Sequence, residues 1–212
     1  MNAPDKLPLL RSAFRLLVSK LDPADTVSIV TYAGEAGTVL EPTKVSERAK
    51  ILAAIDDLTP GGSTAGAAGI REAYRLAQES FVPDGVNRVM LATDGDFNVG
   101  QTDDDDLKRL IEEKRKSGVF LSVFGFGRGN LNDRMMQEIA QNGNGTAAYI
   151  DTLAEAEKVL VEEASSTLFP IAKDVKIQVE FNPAAVSEYR LIGYETRALN
   201  REDFNFDRLC VV

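Results

Sequence analysis

Gly61-Gly62-Ser63-Thr64 and Ala92-Thr93-Asp94-Gly95-Asp96 hold the residue types best suited to chemistry in this chain. The first offers hydroxyls and the second carboxylates, each where an apolar run gives way to a turn. Hydroxyl and carboxylate oxygens are hard donors, matched to Mg2+, Mn2+ or Ca2+ rather than Zn2+. Thr64 and Asp94 are the candidate metal ligands. Gly61, Gly62 and Gly95 shape the loops, and Ser63 caps a helix or supports the ligands from behind. Each residue also has a plain structural use: Ser63-Thr64 as a helix N-cap, Asp94 as a turn residue. Open α/β sheets bind ligands at the carboxyl ends of their strands, so the two segments together point to a site.

The elements that must position these residues alternate. Helical spacing of Leu7, Leu10, Phe14, Leu17, Val18 and Leu21 predicts a first helix, stopped by Asp22-Pro23. Strands are expected at Thr26–Tyr32 and, briefly, at Thr38–Leu40. Helices follow at Ser46–Leu58 and Ala65–Glu79, then a strand at Asn87–Thr93. Beyond it come a helix at Asp103–Lys116, a strand at Phe120–Phe126, a helix at Leu131–Gln141, a strand at Ala147–Ile150 and a helix at Leu153–Ala164. The class is therefore α/β, a doubly wound and mainly parallel sheet with a short antiparallel edge strand. After Thr167 the pattern changes to period two, at Val175–Phe181 and Val186–Tyr194, the start of a β-rich piece. The expected division is 1–166 and 167–212.

Composition narrows the functions. The 212 residues are 44% hydrophobic, enough for a real core. A net charge of −9 and a pI near 4.7 argue against nucleic-acid or anionic-membrane binding, both of which need basic surface. There is no histidine, which removes His triads, His bases and His ligands together. The lone Cys210 allows neither an intrachain disulfide nor a thiolate metal site. No apolar run has the length of a membrane span.

Competing motifs fail on their own chemistry. Gly62-Ser63-Thr64-Ala65-Gly66 lacks the preceding strand and the base of a nucleophile elbow. Gly61 to Gly69 lacks the lysine of a P-loop, and Gly125-Phe126-Gly127-Arg128-Gly129 lacks full dinucleotide spacing. Asp103 to Asp106 reads as a solvated helix start.

The succession GGST, helix, VMLATDGDFNVG, helix, FLSVFGFGRGNLND and GTAAYID resembles a bacterial von Willebrand factor type A domain over residues 1–166. The tail from Ile171 resembles the β-rich region that follows this domain in some bacterial members. The resemblance implies a Rossmann-like sheet and a Mg2+ or Mn2+ held by three loops, the MIDAS. One loop carries Asp-x-Ser-x-Ser; the others carry a Thr matching Thr64 and an Asp matching Asp94, the latter bound through water. An acidic group of a partner protein completes the ion. This chain has no Asp-x-Ser-x-Ser before its first helix, and Met1 corresponds to the residue just past it. The expectation is thus a domain entered after its first central strand, ending within the β-rich region, with weak or no metal binding as it stands. Were the strand between Thr26–Tyr32 and Asn87–Thr93 absent, those two would either close up or stay apart.

The function expected is non-enzymatic, with no catalytic residues: an adhesion- or assembly-type module, metal-dependent in complete form, recognising an acidic residue on a protein partner. The resemblance places the full-length protein in the bacterial cell envelope or periplasm. The alternatives are a Mg2+-dependent phosphohydrolase or nucleotide-binding enzyme, with Asp94 on the metal and Thr64 on phosphate, and a fragment without autonomous function.

Overall fold

The computed structural model describes residues 3–32, 37–61, 66–94, 104–127, 133–163 and 177–190. The chain divides into two compact units, Met1–Phe169 and Pro170–Val212.

In the first unit, helix α1 (Leu7–Lys20) starts with Pro8 in its first turn, where a missing N–H costs nothing, and buries Leu7, Leu10, Ala13 and Val18. Strand β1 (Thr26–Thr31) pairs antiparallel with β2 (Gly37–Lys44), the pairing slipping on either side of Ile29. β2 runs well past the Thr38–Leu40 expected of it. Glu41-Pro42 reads as a break, but proline is tolerated on an edge strand, and β2 has a partner on one side only. A 3-10 turn at Val45–Glu47 leads into α2 (Arg48–Asp56), splitting what reads in sequence as one helix. Helix α3 (Gly66–Glu79) follows.

Strands β3 (Asn87–Thr93), β4 (Val119–Phe126) and β5 (Ala147–Ile150) form a parallel sheet in that order, linked by α4 (Asp104–Lys116) and α5 (Asp133–Asn142). Asn87 pairs with Val119 and Thr93 with Gly125, which brings the carboxyl ends of β3 and β4 level. Helix α6 (Leu153–Glu157) has its N-cap at Thr152, whose hydroxyl accepts from the Glu155 amide, and runs on as a wider π-helical turn to Glu163.

Alternation along β3 and β4 sorts the core onto two faces. Val89, Leu91, Leu121 and Val123 pack with Ile70, Tyr74, Ile111 and Ile139 of α3, α4 and α5. Phe124, Phe126 and Ile150 pack with Leu7, Leu10 and Ala13 of α1 and with Ala156, Val159 and Leu160. The sheet is doubly wound, helices on both faces. A third cluster joins Val18 to Leu40, Val45, Ile51 and Ile55 over the β1–β2 pair.

β1 and β3 form no ladder with each other; the strands lie in separate two- and three-stranded sheets. What joins them is side-chain contact. Phe14 of α1 and Ile29 of β1 both pack against the cluster that holds Phe126, the two phenyl rings meeting edge to face at 6.3 Å. On the other face α3 covers Tyr32, next to β1, as well as β3.

In the second unit the expected strands are not found among residues 177–190, which carry a turn at 183–185 and no strand. The turn is fixed by Asn182, whose side chain accepts from the Ala184 amide, and it brings the Phe181 and Tyr189 rings to 4.5 Å. Ile177 and Val179 are exposed. Period-two alternation is present, but two strands alone bury too little to hold a ladder.

Candidate functional site

Asp94 follows directly on β3, whose last residue Thr93 is buried. Its side chain is partly covered and meets the ammonium of Lys6 at 3.1 Å. Burial works against the Asp94 charge, but hydrogen bonds and attraction from neighbouring cations, Lys6 among them, outweigh it and hold the carboxyl below its ordinary value. Asp94 is therefore an anion at the carboxyl edge of a parallel sheet, with a cation already on it.

Lys6 is placed there by α1. It is the N-cap residue of that helix, and its carbonyl accepts from the Leu10 amide at 2.8 Å. Its stem crosses Gly127, just beyond β4, where φ is +89° and a Cβ would stand 2.8 Å from the Lys6 Cγ and 3.3 Å from the Asp5 carbonyl oxygen. Only glycine lets the start of α1 lie so close to the end of β4.

Tyr32 closes the other side. Its hydroxyl donates to the Ala92 carbonyl at 2.5 Å, reaching from β1 to β3. Burial pushes the phenol up to about 12; a hydrogen bond with Thr93 works the other way, and the Asp94 charge adds to the rise. Lys6, Tyr32, Thr93 and Asp94 thus gather at one edge.

Of the residues singled out in sequence, Asp94 stands at this edge. Thr64, Gly62, Ser63 and Gly95 lie outside the described residues. Gly61 is exposed, and a Cβ there would meet nothing within 4 Å, so crowding does not require glycine at that position. The edge supplies one hard carboxylate donor of the kind Mg2+ or Mn2+ takes. Among the described residues no group of three or more His, Cys, Asp or Glu is placed to hold a metal ion. The donor chemistry fits such an ion; the number of described donors does not.

Lys6 and Tyr32 are the residues that sequence reasoning missed. Lys6 left a trace: a basic residue at a helix N-terminus opposes the helix dipole, and α1 has neither an acidic residue in its first turn nor a side-chain cap. A cation in so poor a place signals an anion elsewhere. Tyr32 reads only as the last residue of an apolar strand.

The von Willebrand factor type A domain family matches residues 2–163, and the family described as "Uncharacterized protein YfbK, C-terminal" matches 166–210. The chain is 50% identical over 209 residues to the uncharacterized protein YfbK of Escherichia coli (strain K12). That match covers 99% of this chain and 36% of YfbK, so the chain spans about a third of that relative's length. A solved von Willebrand factor type A structure from Catenulispora acidiphila shares the fold, with a TM-score of 0.65 at 18% identity over 76% of this chain and 38% of that one. Proximal thread matrix protein 1 from the mussel byssus, solved with a zinc-occupied MIDAS motif, has a TM-score of 0.60 at 25% identity, covering 79% of this chain and 42% of that one. The chain belongs to the von Willebrand factor type A domain family.

Proposed function

We propose that this domain is a non-enzymatic protein-binding module of adhesion or assembly type, whose complete form uses Mg2+ or Mn2+ to recognise an acidic residue on a protein partner. The observation that carries the reading is Asp94: a carboxylate held anionic at the carboxyl edge of β3, against a cation. Open α/β sheets place ligands at that edge. Membership of a family in which a neighbour holds zinc at its MIDAS motif supports a divalent cation in the complete form.

In this reading Thr64 and Asp94 ligate the ion, Asp94 through a water. Gly61, Gly62 and Gly95 shape the loops, and Ser63 caps a helix or supports the ligands from behind. Two metal–oxygen bonds of about 2.1 Å and a bridging water put the Thr64 and Asp94 oxygens within roughly 8 Å. With so few protein donors the ion keeps most of its water, and binding by this chain is weak. The bacterial cell envelope is the proposed compartment of the whole protein; no helix among the described residues is long and apolar enough to cross a membrane.

Titration with MnCl2, followed by the resonance of free Mn2+, tests the ion. Wild type is expected to bind weakly, and Asp94→Ala and Thr64→Val more weakly still. Binding that survives Asp94→Ala unchanged refutes the site.

A further inference from the structure

The surface between α3 and α4 carries charge that the two helices do not use themselves. A groove of about 460 Å³ opens there, lined by Arg71, Arg75, Gln78 and Glu79 of α3 and by Leu110 and Lys114 of α4. Three cations and one anion line it, in a chain whose net charge is −9. Arg71 and Arg75 stand at i and i+4 of one helix, a spacing at which like charges weaken the helix. Arg75 is satisfied by Glu72 and Glu79. Arg71 has no acidic residue three or four positions away on either side. Among the described residues neither Arg71 nor Lys114 forms an ion pair. The helix dipole favours Lys114 in the last turn of α4, but no such gain holds Arg71 in the body of α3. Leu110, packed against the core below, gives the groove an apolar wall.

We propose that this groove docks a short acidic segment of a partner protein, one whose carboxylates flank an apolar side chain. The carboxylates pair with Arg71 and Lys114, and the apolar side chain lies on Leu110. From Arg71 to Glu79 the α3 rim is about 12 Å long at about 1.5 Å per residue, room for about four extended residues. A guanidinium takes a carboxylate through two parallel bonds, which gives Arg71 a directional grip. The net charge of the molecule repels an acidic segment, so its attraction is confined to the place where cations gather without partners. The groove shares no residue with the edge that carries Asp94, and no metal ion takes part.

The test is fluorescence anisotropy of a labelled peptide, Glu-Glu-Leu-Glu-Glu, with the 212-residue chain at low salt in EDTA. Two further peptides replace every Glu by Gln, or Leu by Ser. The variants are Arg71→Glu, Lys114→Gln and, on the exposed side of α2, Lys50→Glu, each checked by urea melt. Wild type is expected to bind the acidic peptide, less tightly as salt rises. Arg71→Glu is expected to weaken binding about threefold and Lys114→Gln about twofold, as exposed ion pairs allow. Arg71→Glu also sets an anion four residues before Arg75, so its melt should hold or improve while binding falls, which separates docking from damage to α3. Lys50→Glu changes net charge by the same amount and should bind as wild type does. Loss in Lys50→Glu equal to that in Arg71→Glu overturns the groove in favour of net charge alone. Absence of binding to wild type overturns it outright. Binding that appears only with Mn2+ and vanishes in Asp94→Ala assigns the peptide to the edge and overturns the groove. A serine peptide that binds as tightly as the leucine peptide overturns the apolar contact and leaves a site for small anions. Sedimentation of wild type by itself completes the set: a dimer that Arg71→Glu dissociates makes a second copy the occupant and overturns the partner segment.

Discussion

A Cβ added to Gly69 would lie 2.5 Å from the Cβ of Tyr32. Helix α3 reaches the end of β1 only because residue 69 has no side chain, and that approach helps tie the two sheets together. Gly69→Ala is therefore expected to destabilise the domain. Overpacking costs about 1–3 kcal/mol, offset by at most about 1 kcal/mol of better helix propensity. Urea melts of Gly69→Ala, Tyr32→Ala and the double variant check it. If the clash is with Tyr32, the double variant loses less than the sum of the singles.

Tyr32→Phe removes the donor to the Ala92 carbonyl and is expected to cost about 0.5–1.5 kcal/mol at neutral pH. The loss depends on pH in a defined direction. The folded-state pKa of Tyr32 is raised to about 12 from an ordinary 10. Its stabilisation is whole below about pH 10 and is lost as pH rises through 12. Tyr149, also pushed up to about 12, by burial first and then by its bond to Asp133, loses stability over the same range in both proteins. Melts from pH 8 to 12 are expected to show wild type converging on Tyr32→Phe.

Glu72 supplies the acid counterpart. Arg75 donates to both of its oxygens, at 2.9 and 2.7 Å, and the Thr38 hydroxyl donates at 2.7 Å, joining α3 to β2. The Arg75 bonds foremost, then Thr38, hold its carboxyl down at about 2, against an ordinary 4.5. A lowered pKa contributes stability that is full above the ordinary value and lost as pH falls through the lowered one. Wild type is expected to exceed Glu72→Gln in melting temperature at pH 6 and to match it near pH 2. A gap that does not narrow between those values counts against the Arg75 and Thr38 bonds as its source.

Tyr74 is 1% exposed, and its hydroxyl has no hydrogen-bond partner among the described residues. Burial alone pushes its phenol up. An unsatisfied buried hydroxyl costs about 1–3 kcal/mol, so Tyr74→Phe, which keeps the ring, is expected to be neutral or stabilising in denaturant melts. A loss above about 1 kcal/mol would show a partner for the hydroxyl.

The parallel half of the fold was legible because its signals are local. Asn87–Thr93 and Ala147–Ile150 are apolar runs bounded by turn residues, and both strands have those limits. β2 extends past Leu40 because Pro42, which a central strand would exclude, is tolerated on an edge strand. Alternation at Ile177–Phe181 has the right period, but a strand also needs a partner, which period does not supply. Asp94 stood out because open α/β sheets bind ligands at the carboxyl ends of their strands, where it sits. Its cation did not, because Lys6 lies 88 residues away in sequence and no spacing rule connects them.

The separation of β1–β2 from β3–β4–β5 has a further consequence, for the order in which the domain opens. The β1–β2 pair is a short-range hairpin that can form early and melt by itself. The parallel sheet must close α4 and α5 crossovers before its ladder yields anything. With no backbone ladder between them, only side-chain contacts tie the opening of one to that of the other, and the domain is expected to hold two cooperative units. In native-state hydrogen exchange under mild urea, the amides of Val27 and Ile29 should open at a lower free energy than those of Leu121 and Val123. A single opening energy shared by both pairs would mean that Phe14 and Tyr32, side chains alone, bind the sheets into one.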